Sequence, residues 1–369
     1  MMKEYFAGIN DTRQQGKVKH NLLEIIVMTI CAVIAGCDVW EDIADFCRVK
    51  ENWLRESLNM KLENGVPSHD TLQRVWGLIE PKEFEKRFCD WVDAVCQKVE
   101  GDIISVDGKT IRRSGSKGHN PIHMVSAWSS KQQLVLGQIA TQEKSNEITA
   151  VPELLEILDV AGCIVTADAM SCQKAITKKV TEKGADYVFG LKDNHPVFRR
   201  EVEEYFAAAV KEPKNYPDVK VLKTLDCGHG RIENRTYYFT TETDWYEGKA
   251  EWSKLCSLGM VASKVEYSDK TTEDVRFFIS SLEDITAFSE AVRKHWGIEN
   301  SLHWCLDMTF HEDYSRIRKD HSAENMAVVR HISLNLLKNH PAKISIARKR
   351  RRCSYDDAFL ADVMRSFHA

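Results

Sequence analysis

Residues 101–210 alternate between short apolar runs and amphipathic runs, and this pattern restricts the fold more than any other feature of the chain. Three strands joined by turns come first, and strands then alternate with helices. Such an order predicts a mixed sheet with helices on its faces. The predicted strands lie at residues 103–106, 123–128, 133–140, 163–167 and 187–191, and the predicted helices at 147–158, 171–183 and 196–210.

The other parts of the 369-residue chain differ from residues 101–210 in their pattern of apolar, charged and turn-forming residues. This difference predicts several structural units. Residues 1–100 are typical of an all-helical N-terminal domain. Residues 211–281 are typical of a strand-rich insertion with a turn at 228–230, and this insertion interrupts the core formed by 101–210 and 282–340. Residues 341–369 form a basic C-terminal tail. The predicted fold class is therefore α/β, with a mixed sheet, flanking helices, an insertion and a helical N-terminal domain.

A helix predicted at residues 285–306 carries three titratable side chains. His295, Glu299 and His303 follow one another at four-residue steps, so they share one helical face. Burying three such groups without partners would cost free energy, so a face used only for packing does not need them. The spacing leaves two interpretations open, a functional face and an exposed polar stripe.

Two aspartates complete a candidate acidic site. Asp107 and Asp168 each follow a predicted strand, and strands that end at the same edge of a sheet bring such residues together. Carboxylate oxygens are the ligands that Mg²⁺ and Mn²⁺ prefer. Together with Glu299, the two aspartates suit a pair of metal ions that cleaves a phosphodiester bond. The alternative is a zinc ion bound by His295 and His303.

Residues 65–76 contain a turn followed by a helix, for which Ser68 is a suitable N-cap. The outward-facing residues of this helix include Arg74, and the arrangement suits a helix-turn-helix that enters a DNA groove. An ordinary helical hairpin fits the same residues. Lys109 lies two residues after Asp107, and two roles are open for it: contact with a phosphate, or an exposed turn lysine.

The region from Arg316 to Arg352 is strongly basic, although the net charge of the whole chain is −4. It holds eleven lysines and arginines against two acids. This balance indicates contact with a phosphate backbone, and the alternative is a solvated charged face. The densest run consists of Arg348, Lys349, Arg350, Arg351 and Arg352.

Eleven cysteines form no C-x-x-C pair, and their spacing suits no zinc site. The sequence has no recognisable export signal, so we expect reduced thiols in a cytoplasmic protein. The apolar run at residues 25–35 is too short for a membrane helix, which needs about 20 residues. We therefore expect no association with a membrane.

Three blocks resemble the DDE transposases of bacterial insertion sequences, in particular the H-repeat-associated, Rhs-linked branch. They are Val106-Asp107-Gly108-Lys109, Ala167-Asp168-Ala169-Met170 and the run from His295 to Trp304 with the following Leu306-Asp307. The resemblance covers nearly the whole chain. It implies an RNase H-like catalytic fold in which Asp107, Asp168 and Glu299 form an acidic triad that holds two Mg²⁺ ions.

The sequence departs from one wider pattern of these transposases. Many of them place Tyr, Arg and Lys seven residues before, four before and seven after the helix glutamate. Here those positions hold Val292, His295 and Leu306. A protonated His295 would replace the arginine, and Lys109 or Arg293 would compensate for the lost charge. Lys109, His295 and His303 are therefore candidates for contact with DNA.

The resemblance implies a nucleoid-associated enzyme that acts on double-stranded DNA. Its substrates would be the terminal inverted repeats of its own element and a target DNA, and it would work as a homo-oligomer. Two alternatives remain open from the sequence. One is a metal-dependent nuclease that does not join DNA ends, and the other is a decayed or domesticated protein that binds DNA without cutting it.

Overall fold

A computed structural model of the chain describes residues 2–96, 99–115, 120–141, 147–228 and 230–367. The contacts divide the chain into two compact units. The helical unit comprises Met1–Lys98, Gly108–Asn146 and Glu299–Ala369, and the sheet unit comprises Val99–Asp107 and Glu147–Ile298. Within the described ranges, no helix is both long enough and apolar enough to cross a membrane.

The secondary structure follows the predicted order closely. The helices are α1 (Met2–Phe6), α2 (Leu22–Ile34), α3 (Trp40–Val49), α4 (Glu51–Leu58), α5 (His69–Leu78), α6 (Pro81–Val95), α7 (Glu147–Ile157), α8 (Lys174–Glu182), α9 (Pro196–Lys211), α10 (Ile285–His295), α11 (Trp304–Met308), α12 (Ser322–Asn339), α13 (Ile346–Tyr355) and α14 (Asp357–Arg365). The strands are β1 (Ile103–Thr110), β2 (His123–Ser129), β3 (Leu134–Thr141), β4 (Ile164–Ala167), β5 (Asp186–Leu191), β6 (Lys220–Gly228), β7 (Arg231–Thr240), β8 (Ser257–Tyr267) and β9 (Thr271–Ser280).

The sheet unit is built on a mixed sheet, as predicted. Its strands lie in the order β1-β4-β5-β9-β8-β7-β6. The β1–β4 and β4–β5 pairs are parallel, and every later pair is antiparallel. The strand-rich insertion therefore extends the core sheet, because β9 pairs with β5. His229, which the sequence assigns to the turn between β6 and β7, lies outside the described residues.

Helix α10 packs against this sheet through aromatic contacts. Phe288 is fully buried, and its ring centroid lies 5.3 Å from that of Phe239 on β7. Gly259 on β8 gives the Phe288 ring its space, since a Cβ atom there would lie 2.2 Å from the ring. A missing side chain thus sets how closely α10 approaches the sheet.

The helical unit is organised around α12, which is buried along most of its length. Two asparagines on α12 satisfy backbone groups of neighbouring segments. Asn325 donates to the carbonyls of Trp76 and Ile79, both at 3.0 Å. Asn335 exchanges two hydrogen bonds of 2.9 Å with the backbone of Val135 on β3. These bonds hold α5 and β3 in register with the central helix.

The predicted caps of the N-terminal helices are present. The Asn21 side chain accepts a hydrogen bond from the Glu24 amide, and the Ser68 side chain accepts one from the Thr71 amide. The turn expected before α5 is present, because the Gly65 amide donates to the Leu62 carbonyl at 2.8 Å, but the short connection of a helix-turn-helix is wrong. Residues 59–68 separate α4 from α5, which is longer than the three- or four-residue turn of a helix-turn-helix.

The prediction of a single regular helix at residues 285–306 is also wrong. Helix α10 ends at His295, a π-helical turn runs through Glu299–His303, and α11 begins at Trp304. Hydrogen bonds in a π turn span five residues instead of four, so the four-residue spacing no longer defines one continuous face. Periodicity does not reveal such a turn, because it assumes a constant helical pitch.

We expect Gly259→Ala to lower the free energy of unfolding by about 1–3 kcal/mol, because the added methyl group overlaps the Phe288 ring. The midpoint of urea denaturation would measure this loss. Gly228→Ala is the matched control, since nothing lies within 4 Å of the added atom there. Combining Gly259→Ala with Phe288→Leu should recover part of the loss, and a fully additive double mutant would contradict this packing.

Candidate active site

Two aspartates lie side by side at one edge of the sheet unit. The β1–β4 register ends with Val106 opposite Ala167, so Asp107 and Asp168 are the next residues on neighbouring parallel strands. Such strands lie about 4.8 Å apart. One carboxylate oxygen of Asp168 accepts the Met170 amide at 3.0 Å, which fixes the direction of the side chain. The expected meeting of the two aspartates at one strand edge is thus present.

The same face of the sheet carries a chain of polar contacts. Side chains alternate along a strand, so Ser105 and Thr166 share the face of the two aspartates. The Thr166 hydroxyl donates to Ser105 Oγ at 3.2 Å and lies 3.0 Å from His295 Nδ1. Because Thr166 has only one hydroxyl proton, His295 Nδ1 is the donor in the second contact. Sequence periodicity had not identified either hydroxyl.

His295 is neutral rather than cationic. Burial lowers the pKa of His295 to about 4, although the Asp168 carboxylate acts in the opposite direction. This shift does not favour the protonated His295 expected in place of the arginine of related transposases. With Nδ1 donating to Thr166, the neutral ring keeps Nε2 as an acceptor.

Glu299 belongs to the helical unit, where it is the first residue of the π-helical turn and is exposed. Four residues later in this turn, His303 has its pKa lowered to about 3, mainly by burial. A neutral imidazole cannot neutralise a phosphate. In the described ranges, no three His, Cys, Asp or Glu side chains are grouped closely enough to form a metal site by themselves.

Lys109 lies in an acidic cluster and is not an exposed turn lysine. Its side chain is 11% exposed. Its ammonium nitrogen lies 2.8 Å from Asp307, 3.1 Å from Glu312 and 3.2 Å from Asp313. The ammonium group donates hydrogen bonds to Glu312 and Asp313 and forms an ion pair with Asp307, so three carboxylates surround it. A free phosphate-binding role for Lys109 is therefore at odds with the structure.

The sequence analysis did not single out Glu312, which is the most buried acid of this cluster. Burial would raise the pKa of Glu312, but Lys109 and Arg330 outweigh it and lower that pKa. Burial would lower the pKa of Lys109, and the three acids raise it instead. The pKa of Asp307 is raised because burial outweighs the effect of Lys109. The cluster is thus an interior ion network with Glu312 charged.

The basic run on α13 divides into interior and exterior residues. Lys349 is buried and donates to the carbonyls of Leu337 and His340 at 2.7 and 2.6 Å. Arg350 is also buried, and it donates to the carbonyls of Val33 and Thr309 and to Asp38. The charges of Lys349 and Arg350 are therefore used inside the fold, and these two residues do not contact DNA. The exposed cations of the run are Arg348, Arg351 and Arg352.

Two further candidates, Arg74 and Arg293, belong to different units. Arg74 is exposed on α5. Arg293 is exposed and lies 3.3 Å from Asp226 on β6, so it has an acidic partner within the sheet unit. No disulfide joins any cysteines in the described part of the chain.

Two family profiles together match most of the chain. The profile of the family described as "Transposase DDE domain" matches residues 99–336, and that of "DDE_Tnp_1-associated" matches residues 3–92. The chain belongs to the DDE transposase family.

Full-length relatives of this DDE family come from Escherichia coli. The "H repeat-associated putative transposase YhhI" of strain K12 is 40% identical over 98% of this chain and 97% of its own length. The "Putative transposase YncI" of strain O157:H7 is 40% identical over 98% of this chain and 94% of its own length. The resemblance to the H-repeat-associated branch is thus confirmed.

We expect Glu312→Gln to reduce the free energy of unfolding of this DDE family member by about 3–5 kcal/mol, because it leaves buried cations without their carboxylate. Equilibrium denaturation in urea would measure the loss. Glu56→Gln, at an exposed site on α4, should change stability by less than about 0.5 kcal/mol. Equal effects of the two changes would contradict the ion network.

Stability should fall as the pH drops from about 6.5 to 4. His303 and His331 are neutral in the folded chain because burial lowers their pKa values to about 3 and 4, and the unfolded chain takes up protons first. Each imidazole contributes at most about 1.4 kcal/mol per pH unit in that window. His331→Gln should flatten the slope measured by denaturation at several pH values. An unchanged slope would mean that His331 is already protonated in the fold.

Proposed function

We propose that this chain is a DNA transposase with an RNase H-like catalytic core, which cleaves DNA at the ends of its own element and joins the freed 3′ hydroxyl to a target. The observation that carries the proposal is the register of β1 and β4, which brings Asp107 and Asp168 to adjacent strand ends on one face. We propose Glu299 as the third acid, and membership in the DDE family supports this choice.

We further propose that Asp107, Asp168 and Glu299 together hold Mg²⁺, with Mn²⁺ as a substitute. The donor set fits, since carboxylate oxygens are hard ligands and the neutral His295 adds no competing positive charge beside Asp168. Bound divalent ions would activate water or a 3′ hydroxyl and stabilise the leaving oxygen of the phosphodiester.

The chain's own residues position these carboxylates. The β1–β4 backbone hydrogen bonds fix the spacing of the two aspartates, and the Met170 amide orients Asp168. Thr166 holds the His295 ring through Nδ1, so His295 Nε2 can accept a proton from a bound hydroxyl or water. His295 thus acts as a polar neutral group and not as a phosphate clamp.

DNA contact is assigned to exposed cations. Arg348, Arg351 and Arg352 would neutralise phosphates, and Arg74 on α5 would approach DNA from the N-terminal helices. We propose that residues 1–100 recognise the terminal inverted repeats and that 341–369 add affinity that does not depend on sequence. Two element ends must be brought together, which favours a homo-oligomer on DNA.

The proposal is tested with the purified full-length chain and labelled DNA from the flanks of its gene, in Mg²⁺ and in Mn²⁺. Glu299→Gln and Asp168→Asn should each slow cleavage and joining by roughly 100-fold or more, while DNA binding is retained. The matched controls are Glu290→Gln and Asp193→Asn, which change exposed acids of the sheet unit and should cleave as the wild type does.

Each alternative predicts a different set of products. Cleavage without joined products would indicate a nuclease. Binding that survives metal removal, with no breakage in any divalent ion, would indicate a domesticated or decayed DNA-binding protein. Full activity in Glu299→Gln would overturn the assignment of the third acid.

A further inference from the structure

The segment that follows Asp107 is joined to the segment that follows Glu299 by a series of contacts inside the helical unit. Lys109 reaches Asp307, Glu312 and Asp313. Arg112 bonds to Asp313 through both its amide and its guanidinium. Arg113 lies over the Tyr314 ring at 5.1 Å, and Arg318 donates to the Arg113 carbonyl at 2.6 Å. Residues 109–113 and 307–318 are therefore linked at four successive points.

Lys109 is the most enclosed cation of this series. Glu312, which it contacts, is 2% exposed and also lies 3.5 Å from Arg330 on α12. Arg112, by contrast, is 80% exposed, so solvent weakens its pairing with Asp313. The geometry of the series therefore depends mainly on the buried ammonium group.

These contacts join two segments close to the points where each segment enters the helical unit. The chain enters the helical unit at Gly108, one residue after Asp107, and enters it again at Glu299. Lys109 lies near the start of the segment that begins at Gly108. It contacts residues 307–313, which lie near the start of the segment that begins at Glu299. The π-helical turn Glu299–His303 lies between that second entry and the anchored acids.

We propose that Lys109 is a positioning residue, which holds the π-helical turn carrying Glu299 in place by anchoring residues 307–313. This inference rests on the proposed function for its consequence, because the position of Glu299 matters only if its carboxylate binds metal. Lys109 acts through the acids that it holds and does not touch DNA, since its buried ammonium group is already paired with three carboxylates.

The anchoring is tested first by hydrogen exchange, which does not depend on activity. In Lys109→Met, the amides of residues 299–308 should lose protection by about tenfold or more, because local opening becomes easier. Lys109→Arg keeps the charge and should stay closer to the wild type. Asp313→Asn is a milder change for use if Lys109→Met does not fold, and it should lower protection in the same direction.

The matched control is Lys338→Met. Lys338 is a partly buried lysine of the same unit, but its ammonium lies over the Trp128 ring at 4.7 Å, and no described contact links it to an acid. This change removes a buried charge without releasing residues 307–313. Protection in the π-helical turn at residues 299–303 should therefore fall no more than in the rest of the helical unit.

The consequence is tested by Mn²⁺ binding, followed by electron paramagnetic resonance, and by DNA cleavage at increasing Mn²⁺. Lys109→Met should weaken Mn²⁺ binding by about tenfold and move half-maximal cleavage to a correspondingly higher Mn²⁺ concentration. Binding of flanking DNA without metal should be unchanged within about twofold, because Lys109 contacts no phosphate.

The outcomes separate the two proposals. Unchanged exchange at residues 299–308 in Lys109→Met, or an equal loss in Lys338→Met, overturns the anchoring. Weaker DNA binding without metal would show instead that Lys109 contacts phosphate. If the wild type neither binds Mn²⁺ nor cleaves DNA while the exchange result holds, the proposed function fails and the anchoring stands.

Discussion

The parallel pairing of β1 with β4 is the constraint on which the proposed chemistry depends. Its register places Asp107 beside Asp168 and Ser105 beside Thr166, so four polar residues share one face. A slip of one residue would turn half of them to the opposite face. The backbone hydrogen bonds between β1 and β4 therefore determine which side chains lie next to each other. The hydrogen bond between Thr166 and His295 adds a residue of α10 to this group.

The buried cations of the helical unit are also paired with polar groups. Lys109 lies among carboxylates, whereas Lys349 and Arg350 are directed at backbone carbonyls. Each of these cations satisfies polar groups that would otherwise be buried without hydrogen bonds. On α13, the side chains at 348, 351 and 352 face outward, so one short helix contributes both to the interior and to a basic surface.

Local patterns predicted the strands, most helices, the caps at Asn21 and Ser68, and the adjacency of Asp107 and Asp168, because each depends on neighbours in sequence or on sheet geometry. The partners of Lys109 could not be predicted, since Glu312 lies 203 residues away. The burial of Lys349 and Arg350 was missed because composition does not show which side of a helix faces inward. The assembly of the acidic triad stays a prediction.

The π-helical turn has a consequence for how related sequences are compared. Such a turn takes up one residue more than a regular helical turn, so losing one residue from Glu299–His303 would let the segment wind as an ordinary α-helix. The side chains of α11 would keep their present faces, because the π turn takes up the extra residue within a single turn. A one-residue gap at these five positions in an alignment therefore removes the π turn and its side-chain spacing without turning α11. The same gap in a regular part of the helix would rotate every later side chain by about 100°.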